Sequence, residues 1–192
     1  MKHIEDKLNV AITGHTRGFG NSMYKIFKSQ KHNVLGFSKS NGFDISDNLI
    51  REKIINEIKV FDIFINNAYH PQGQIDMLNE ILKCWDNTEK IVVNVSSIVV
   101  YKHSPYFKEE LELYRDSKIK LNNIIKDYKG SVKILNIVPG LMNTDFYLVP
   151  DIFDKSNSIN TDSLAELIYI VIKNSNNFFI KELIMENNRW NI

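Results

Sequence analysis

An α/β fold, built on a doubly wound and mainly parallel sheet of six or seven strands with helices on both faces, is predicted by three observations. Short apolar runs alternate along the chain with longer segments of helical period, the pattern of a sheet buried between two helical layers. The first apolar run passes straight into a glycine-rich turn, Thr13-Gly14-His15-Thr16-Arg17-Gly18-Phe19-Gly20, and then into a helical segment. All four prolines, at 71, 105, 139 and 150, fall at boundaries between these segments, where a residue that cannot continue a helix or a central strand belongs.

The elements follow in order. Leu8–Thr13 opens the sheet, and Asn21–Gln30 is the helix after the glycine turn. Asn33–Phe37 and Phe61–Ile65 are the next strands, separated by the helix Leu49–Ile58. In the helix Gln74–Trp85, Ile75, Leu78, Ile81, Leu82 and Trp85 share one face, as a helix lying on a sheet requires. Lys90–Val95 precedes a long helical pattern, Tyr106–Tyr128, which starts after Ser104 and Pro105 as a capped helix with proline in its first turn. Val132–Val138 is closed by Pro139-Gly140, and Thr161–Lys173 and Phe179–Met185 complete the alternation. The stretch from Leu141 to Asn160 lacks periodicity and is long for a connection in a compact domain, so it is expected to be a mobile lid or partly helical, beside the substrate entrance.

Residues 1–192 suit one domain with a substantial core. The 24 basic and 23 acidic residues nearly cancel without forming a block, which gives no reason to expect nucleic acid or an anionic membrane as partner. Cys84, the one cysteine, has no internal disulfide partner and sits between apolar helix positions, where core packing in a reducing compartment is expected. The N-terminus is too polar for a signal peptide and no apolar stretch approaches a membrane span, so a soluble, cytoplasmic protein is expected. His70 and His103 lack the carboxylate and histidine neighbours of a metal site.

Two features carry chemistry. Glycines after a first strand permit a tight turn and close approach of backbone to a pyrophosphate at a helix N-terminus. Tyr114 and Lys118 lie four residues apart on the long helical pattern, so they share a face, and an ammonium beside a phenol favours its ionised form. A phenol with its ordinary pKa of about 10 is a poor proton shuttle at neutral pH. A neighbouring cation is expected to make it a better one.

The spacing T-G-x-x-x-G-x-G resembles that of the short-chain dehydrogenases/reductases, and further motifs follow in that family's order. They are Asp44-Ile45, Asn66-Asn67-Ala68, Asn94-Val95-Ser96-Ser97, Tyr114-x-x-Ser117-Lys118 and Pro139-Gly140-Leu141-Met142-Asn143-Thr144. The resemblance implies a Rossmann-type sheet in the order 3-2-1-4-5-6-7. It implies that Ser97 polarises a substrate carbonyl, with Ser96 the alternative, that Tyr114 donates or accepts the proton, and that Lys118 lowers the tyrosine pKa while holding the nicotinamide ribose. It also implies a cofactor site formed by Gly14, Thr16, Arg17, Gly18, Phe19 and Gly20, by Asp44 and Ile45 near the adenine, by Asn66, Asn67, Ala68 and Val138 along the cleft, and by Pro139, Gly140, Met142 and Thr144, completed by Tyr114 and Lys118. A homodimer or homotetramer through the helices Gln74–Trp85 and Tyr106–Tyr128 is implied as well.

The second strand ends Gly36-Phe37-Ser38-Lys39 without the acid that binds ribose hydroxyls in NAD sites, and Arg17 precedes Gly18. NADP(H) is therefore expected rather than NAD(H), with Arg17, Ser38 and Lys39 near the 2′-phosphate. The chain also departs from the family. Tyr69 replaces the glycine after Asn-Asn-Ala, and Asn66 and Ser97 stand only 31 positions apart. No asparagine clearly fills the family's proton-relay position, for which Gln72, Gln74 or a water is the candidate. Residues 103–107 lengthen the interval from Ser97 to Tyr114 and are expected to form substrate wall, and the segment from Lys39 to Asp44 leaves room for only a vestigial third strand. The function expected is an NADP(H)-dependent reductase of a carbonyl on a small organic molecule. The alternatives are a dinucleotide-binding sensor without efficient turnover and a reductase of a pteridine-like C=N or C=C group.

Overall fold

The computed structural model describes residues 7–102, 108–145 and 157–187. Six strands, β1 (Asn9–Thr13), β2 (Asn33–Phe37), β3 (Ile63–Asn66), β4 (Ile91–Val95), β5 (Lys133–Pro139) and β6 (Glu182–Met185), form one sheet in the order β2-β1-β3-β4-β5-β6. Every pair is parallel. Five helices connect them: α1 (Gly18–Ser29), α2 (Asn48–Glu57), α3 (Gly73–Cys84), α4 (Glu109–Asp127) and α5 (Thr161–Lys173).

The strands alternate in which face they cover, as the period of two demands. Val10, Ile12, Ile63, Ile65 and Val93 pack beneath α1 and α5 through Met23, Phe27, Ile168 and Ile172. Ala11, Phe64, Val92 and Ile134 pack on the opposite side against Ile54, Leu78, Ile81 and Leu121 of α2, α3 and α4. Burial on both faces explains why β3 and β4 read as continuous apolar runs. Cys84 is free and packs at the edge of the second cluster.

Among the described residues no third strand forms after β2. Lys39–Asn41 is one short 3₁₀ turn, ended by Gly42 in the left-handed region at φ 88°. Six residues later α2 begins, capped by the Asp47 carboxylate accepting from Leu49 N. The sheet thus keeps the anticipated order less its outer strand, and β2 becomes an edge. Helix α1 begins at Gly18, earlier than the anticipated Asn21. Helix α4 begins at Glu109 after an extended Lys108, later than the anticipated Tyr106, and residues 103–107 with most of the lid segment lie outside the described residues.

One polar row interrupts the apolar interior. Asn66, Asn94 and Asn136 stand opposite one another on β3, β4 and β5. Asn66 Nδ2 donates to Asn94 Oδ1 at 3.2 Å, Asn94 Nδ2 to Asn136 Oδ1 at 3.0 Å, and Asn136 Nδ2 to Glu182 Oε1 at 2.9 Å. Buried amides need such partners. The row marks the C-terminal ends of the strands, where open α/β sheets bind ligands.

Candidate active site

The glycine turn is fastened to the end of β3. Thr13 Oγ1 accepts from Asn67 N at 3.0 Å and Ala68 N at 3.1 Å, and Asn67 Nδ2 donates to Thr13 O at 3.0 Å and Gly14 O at 3.2 Å. Gly14 and Gly18 take left-handed φ values of 72° and 54°, open to glycine at little cost. A Cβ on Gly20 would stand 2.2 Å from Gly14 O, and one on Gly18 would stand 3.0 Å from Thr144 Cγ2. Thr144, 126 positions beyond Gly18 in sequence, is thereby brought to the turn. Phe19 buries its ring in the core. Helix α1 starts after Arg17 with no side-chain cap and no acid in its first turn. Its unpaired N–H groups and positive end suit an anion. Thr16 and Arg17 are exposed beside it.

The rim after β2 is cross-linked. Ser38 N and Oγ both donate to Asn41 Oδ1, at 2.7 and 3.0 Å, and Ser38 Oγ and Ser40 Oγ are 2.9 Å apart. Ser40 Oγ lies 3.5 Å from Thr16 Oγ1, joining this rim to the glycine turn. Lys39 Nζ pairs with Asp44 Oδ2 at 2.8 Å. The hydrogen bond from Lys39, followed by that from Ser46 N, holds the Asp44 carboxyl at about 2. Ile45 is buried, and its carbonyl accepts from Arg51 Nη1 at 2.9 Å. Arg51, itself buried, also meets Asp76 at 3.1 Å and Glu80 at 3.2 Å on α3.

At the ends of β4 and β5 the second cluster forms. Ser96 turns inward and donates to Asn122 Oδ1 at 2.8 Å. The Ser97 hydroxyl instead shares a hydrogen bond with the Tyr114 phenol. Ser97, not Ser96, is thus the serine beside Tyr114. Lys118 is 2% exposed, and its ammonium sits 5.3 Å from the Tyr114 ring centre and 5.5 Å from that of Tyr69. Tyr69 and Tyr114 meet edge to face, their ring centres 4.8 Å apart.

Burial pushes Tyr114 up to about 12, against the downward pull of its Ser97 hydrogen bond and with a further upward push from Tyr69. The same burial pushes Lys118 down to about 7. The expected lowering of the tyrosine by the lysine is therefore absent from this state. Lys118 Nζ spends two N–H groups elsewhere, on Gln74 Oε1 at 2.7 Å and Val95 O at 2.8 Å.

No family model matches the chain, and no curated protein matches it. Solved structures do. A short chain dehydrogenase from Burkholderia cenocepacia in complex with NADP superposes with a TM-score of 0.74 at 14% identity, over 94% of this chain and 88% of that one. The 3-ketoacyl-(acyl-carrier-protein) reductase of Brucella melitensis, complexed with NADH, gives 0.73 at 16% identity over 93% and 96%. An alcohol dehydrogenase from Thermococcus sibiricus with 5-hydroxy-NADP gives 0.71 at 15% identity over 97% and 99%. The fold is that of the short-chain dehydrogenases/reductases.

Within that fold, Gly14, Gly18, Gly20, Thr16, Arg17, Asn67, Ala68 and Thr144 come together, and Ser97, Tyr114 and Lys118 come together. Of the other expected cofactor residues, Asn66 and Val138 are wholly buried. Pro139 and Gly140 are buried too, Gly140 N donating to Met185 O at 2.7 Å under Asn187. Met142 packs on the α1/α5 core cluster. Sequence reasoning missed the asparagine row and Arg51. Single asparagines in otherwise apolar strand ends, and one arginine inside a helix otherwise poor in basic residues, were the available signals. Among the described residues no group of His, Cys, Asp and Glu is placed to hold a metal ion, and no helix is long and apolar enough to cross a membrane.

Proposed function

We propose that this chain is an NADP(H)-dependent oxidoreductase that interconverts a carbonyl and an alcohol on a small organic substrate. The observation that carries the reading is the Ser97–Tyr114 hydrogen bond, with the Lys118 ammonium 5.3 Å from the phenol ring. The uncapped start of α1, without acids and behind left-handed Gly14 and Gly18, suits a pyrophosphate. A bound nicotinamide dinucleotide supplies the hydride.

The protein's part is to meet the charge that develops on the carbonyl oxygen. Ser97 and Tyr114 hydroxyls are neighbouring donors, and donors fixed before reaction cost no reorganisation during it. With its pKa near 12, Tyr114 keeps its proton at neutral pH, as a donor for carbonyl reduction must. In the reverse direction the phenolate accepts the alcohol proton, and Lys118 as ammonium is the counter-charge. Its third N–H is what remains for a ribose hydroxyl. Exposed Arg17 and Lys39, with Ser38 between the second strand and the 3₁₀ turn, are the residues assigned to a 2′-phosphate, and the lack of an acid at the end of β2 supports NADP(H) over NAD(H). A homodimer or homotetramer joined through α3 and α4 goes with this reading and is tested by sedimentation velocity.

A second reading, a dinucleotide-binding sensor with little turnover, is favoured by Tyr69 packed on Tyr114 and by Lys118 bonded to Gln74 and Val95 rather than left open. Titration with NADPH and NADH, followed by nicotinamide fluorescence in wild type and Arg17→Ala, addresses the cofactor. Tighter binding of NADPH that weakens selectively in Arg17→Ala supports the first proposal, whereas binding of neither nucleotide overturns both. Turnover within a carbonyl panel that is lost in Tyr114→Phe separates the reductase from the sensor.

A further inference from the structure

The geometry assigns Gln74 as the residue that fixes the Lys118 ammonium against the Tyr114 phenol, a positioning role that stands in for the missing relay asparagine. This rests on Tyr114 and Lys118 being the proton-handling pair. Only six residues separate the end of β3 at Asn66 from the start of α3 at Gly73. The first turn of α3 therefore lies over the ends of β3 and β4. From there Gln74, 1% exposed, reaches a lysine 44 positions away.

Its amide has one orientation. Gln74 Nε2 donates to Asn66 O at 3.0 Å and to Val95 O at 3.0 Å, while Oε1 accepts from Lys118 Nζ at 2.7 Å. A flipped amide would set an oxygen against two carbonyls and an NH₂ group against an ammonium. The Gln74 carbonyl is fixed in turn, accepting from Asn66 Nδ2 at 3.0 Å. Every hydrogen-bonding atom of the side chain is thus spent between two strand ends and the ammonium. Gln72, the other candidate, bonds Asp76 on the exposed side of the helix and takes no part.

The choice of amide over carboxylate matters chemically. Among the described residues, the groups facing the Lys118 ammonium are the neutral Gln74 amide, the Val95 carbonyl and the phenols of Tyr69 and Tyr114. A carboxylate at position 74 would keep an acceptor toward the ammonium and, once ionised, bind it as an ion pair, at the cost of setting its second oxygen against the Asn66 and Val95 carbonyls. Lys118 would then hold its proton to much higher pH.

The test reads Lys118 directly in the full-length, cofactor-free protein. Lysines labelled with ¹³C at Cε are titrated by NMR, the Lys118 signal being identified by its loss in Lys118→Met. In Gln74→Glu the Lys118 midpoint is expected to rise by at least about one pH unit relative to wild type. In Gln74→Met, which keeps the bulk and removes the acceptor, it is expected to fall. A folded Gln74→Glu protein with an unmoved midpoint overturns the assignment. Should Gln74→Glu not fold, equal midpoints in wild type, Gln74→Asn and Gln74→Met would overturn it, because an amide one methylene shorter cannot bridge the same atoms.

Turnover gives a second readout. With NADPH and any carbonyl substrate found in the panel, the pH limb of kcat is expected to move upward in Gln74→Glu, while Gln74→Met loses about tenfold in kcat without that shift. A moved NMR midpoint without turnover in wild type upholds the Gln74 contact and refutes the oxidoreductase. Turnover lost in Tyr114→Phe, with an unmoved midpoint in Gln74→Glu, does the reverse.

Discussion

The glycine turn after β1 and the Ser97–Tyr114–Lys118 cluster stand at the same end of the sheet, yet opposite means hold them in shape. The turn depends on side chains that are missing: a Cβ on Gly20 would press to 2.2 Å on Gly14 O. The cluster depends on side chains that are present, half-buried Ser97 and Tyr114 over Lys118, which is 2% exposed and held by an amide from another helix. One region is a backbone shape and tolerates nothing added. The other is an electrostatic balance, and exchange of a single atom type changes its protonation without changing its shape.

The largest separation of the two regions should come from Tyr114→Phe. Deleting the hydroxyl is expected to lower kcat about a thousandfold. Stability should change by less than about 1 kcal/mol, since the ring that packs on Tyr69 is kept. Comparable loss of NADPH binding in the same variant would mean that the two regions are not independent.

Gly20→Ala is the complementary break. The forced contact with Gly14 O and Asn67 Nδ2 is expected to cost about 3 kcal/mol, measured as a lower urea midpoint, with NADPH affinity falling alongside. A variant as stable as wild type would mean the turn is looser than its contacts imply.

The cluster should also reveal itself in the pH dependence of stability. Lys118 titrates near 7 in the folded chain against 10.5 for an ordinary lysine. Between those values the unfolded chain binds the extra proton, so stability rises with pH. Tyr114 acts the other way above its ordinary 10, because the folded chain keeps the phenolic proton up to about 12 while the unfolded chain loses it. Urea midpoints are therefore expected to climb from pH 7 to 9, by about 1–3 kcal/mol, and to fall above pH 10. Lys118→Met should flatten the climb, and a climb that persists in that variant would assign it to other groups.

The smallest effect belongs to the rim. Asp44→Asn releases Lys39 from its 2.8 Å pair, and the preference for NADPH over NADH is expected to grow about two- to fivefold, less at high salt. An unchanged ratio would remove Lys39 from the phosphate site.

Much of this was legible in the chain. Strand and helix positions follow from short continuous apolar runs and from segments of period 3.6, both local signals, and Thr161–Lys173 matches residue for residue. The glycine turn was legible because only glycine adopts its backbone and fits its contacts. The Ser96/Ser97 alternative was not: adjacent residues on a strand end point to opposite sides, and only the location of Asn122 on α4 shows which serine faces inward. The direction of the Tyr114 shift was also beyond sequence. An i, i+4 spacing brings an ammonium near a phenol, but desolvation is set by everything packed around the pair.

The amino-acid sequence by itself determined the alternating α/β order, the glycine turn and the pairing of Tyr114 with Lys118 on one helical face, since each depends on neighbours within a few residues. Tertiary structure alone decided that Thr144 touches Gly18, that Gln74 holds Lys118, and that Asn66 joins a buried row with Asn94. Those contacts join residues 28 to 126 positions apart, and their partners are chosen by strand register and helix placement, which no local pattern encodes.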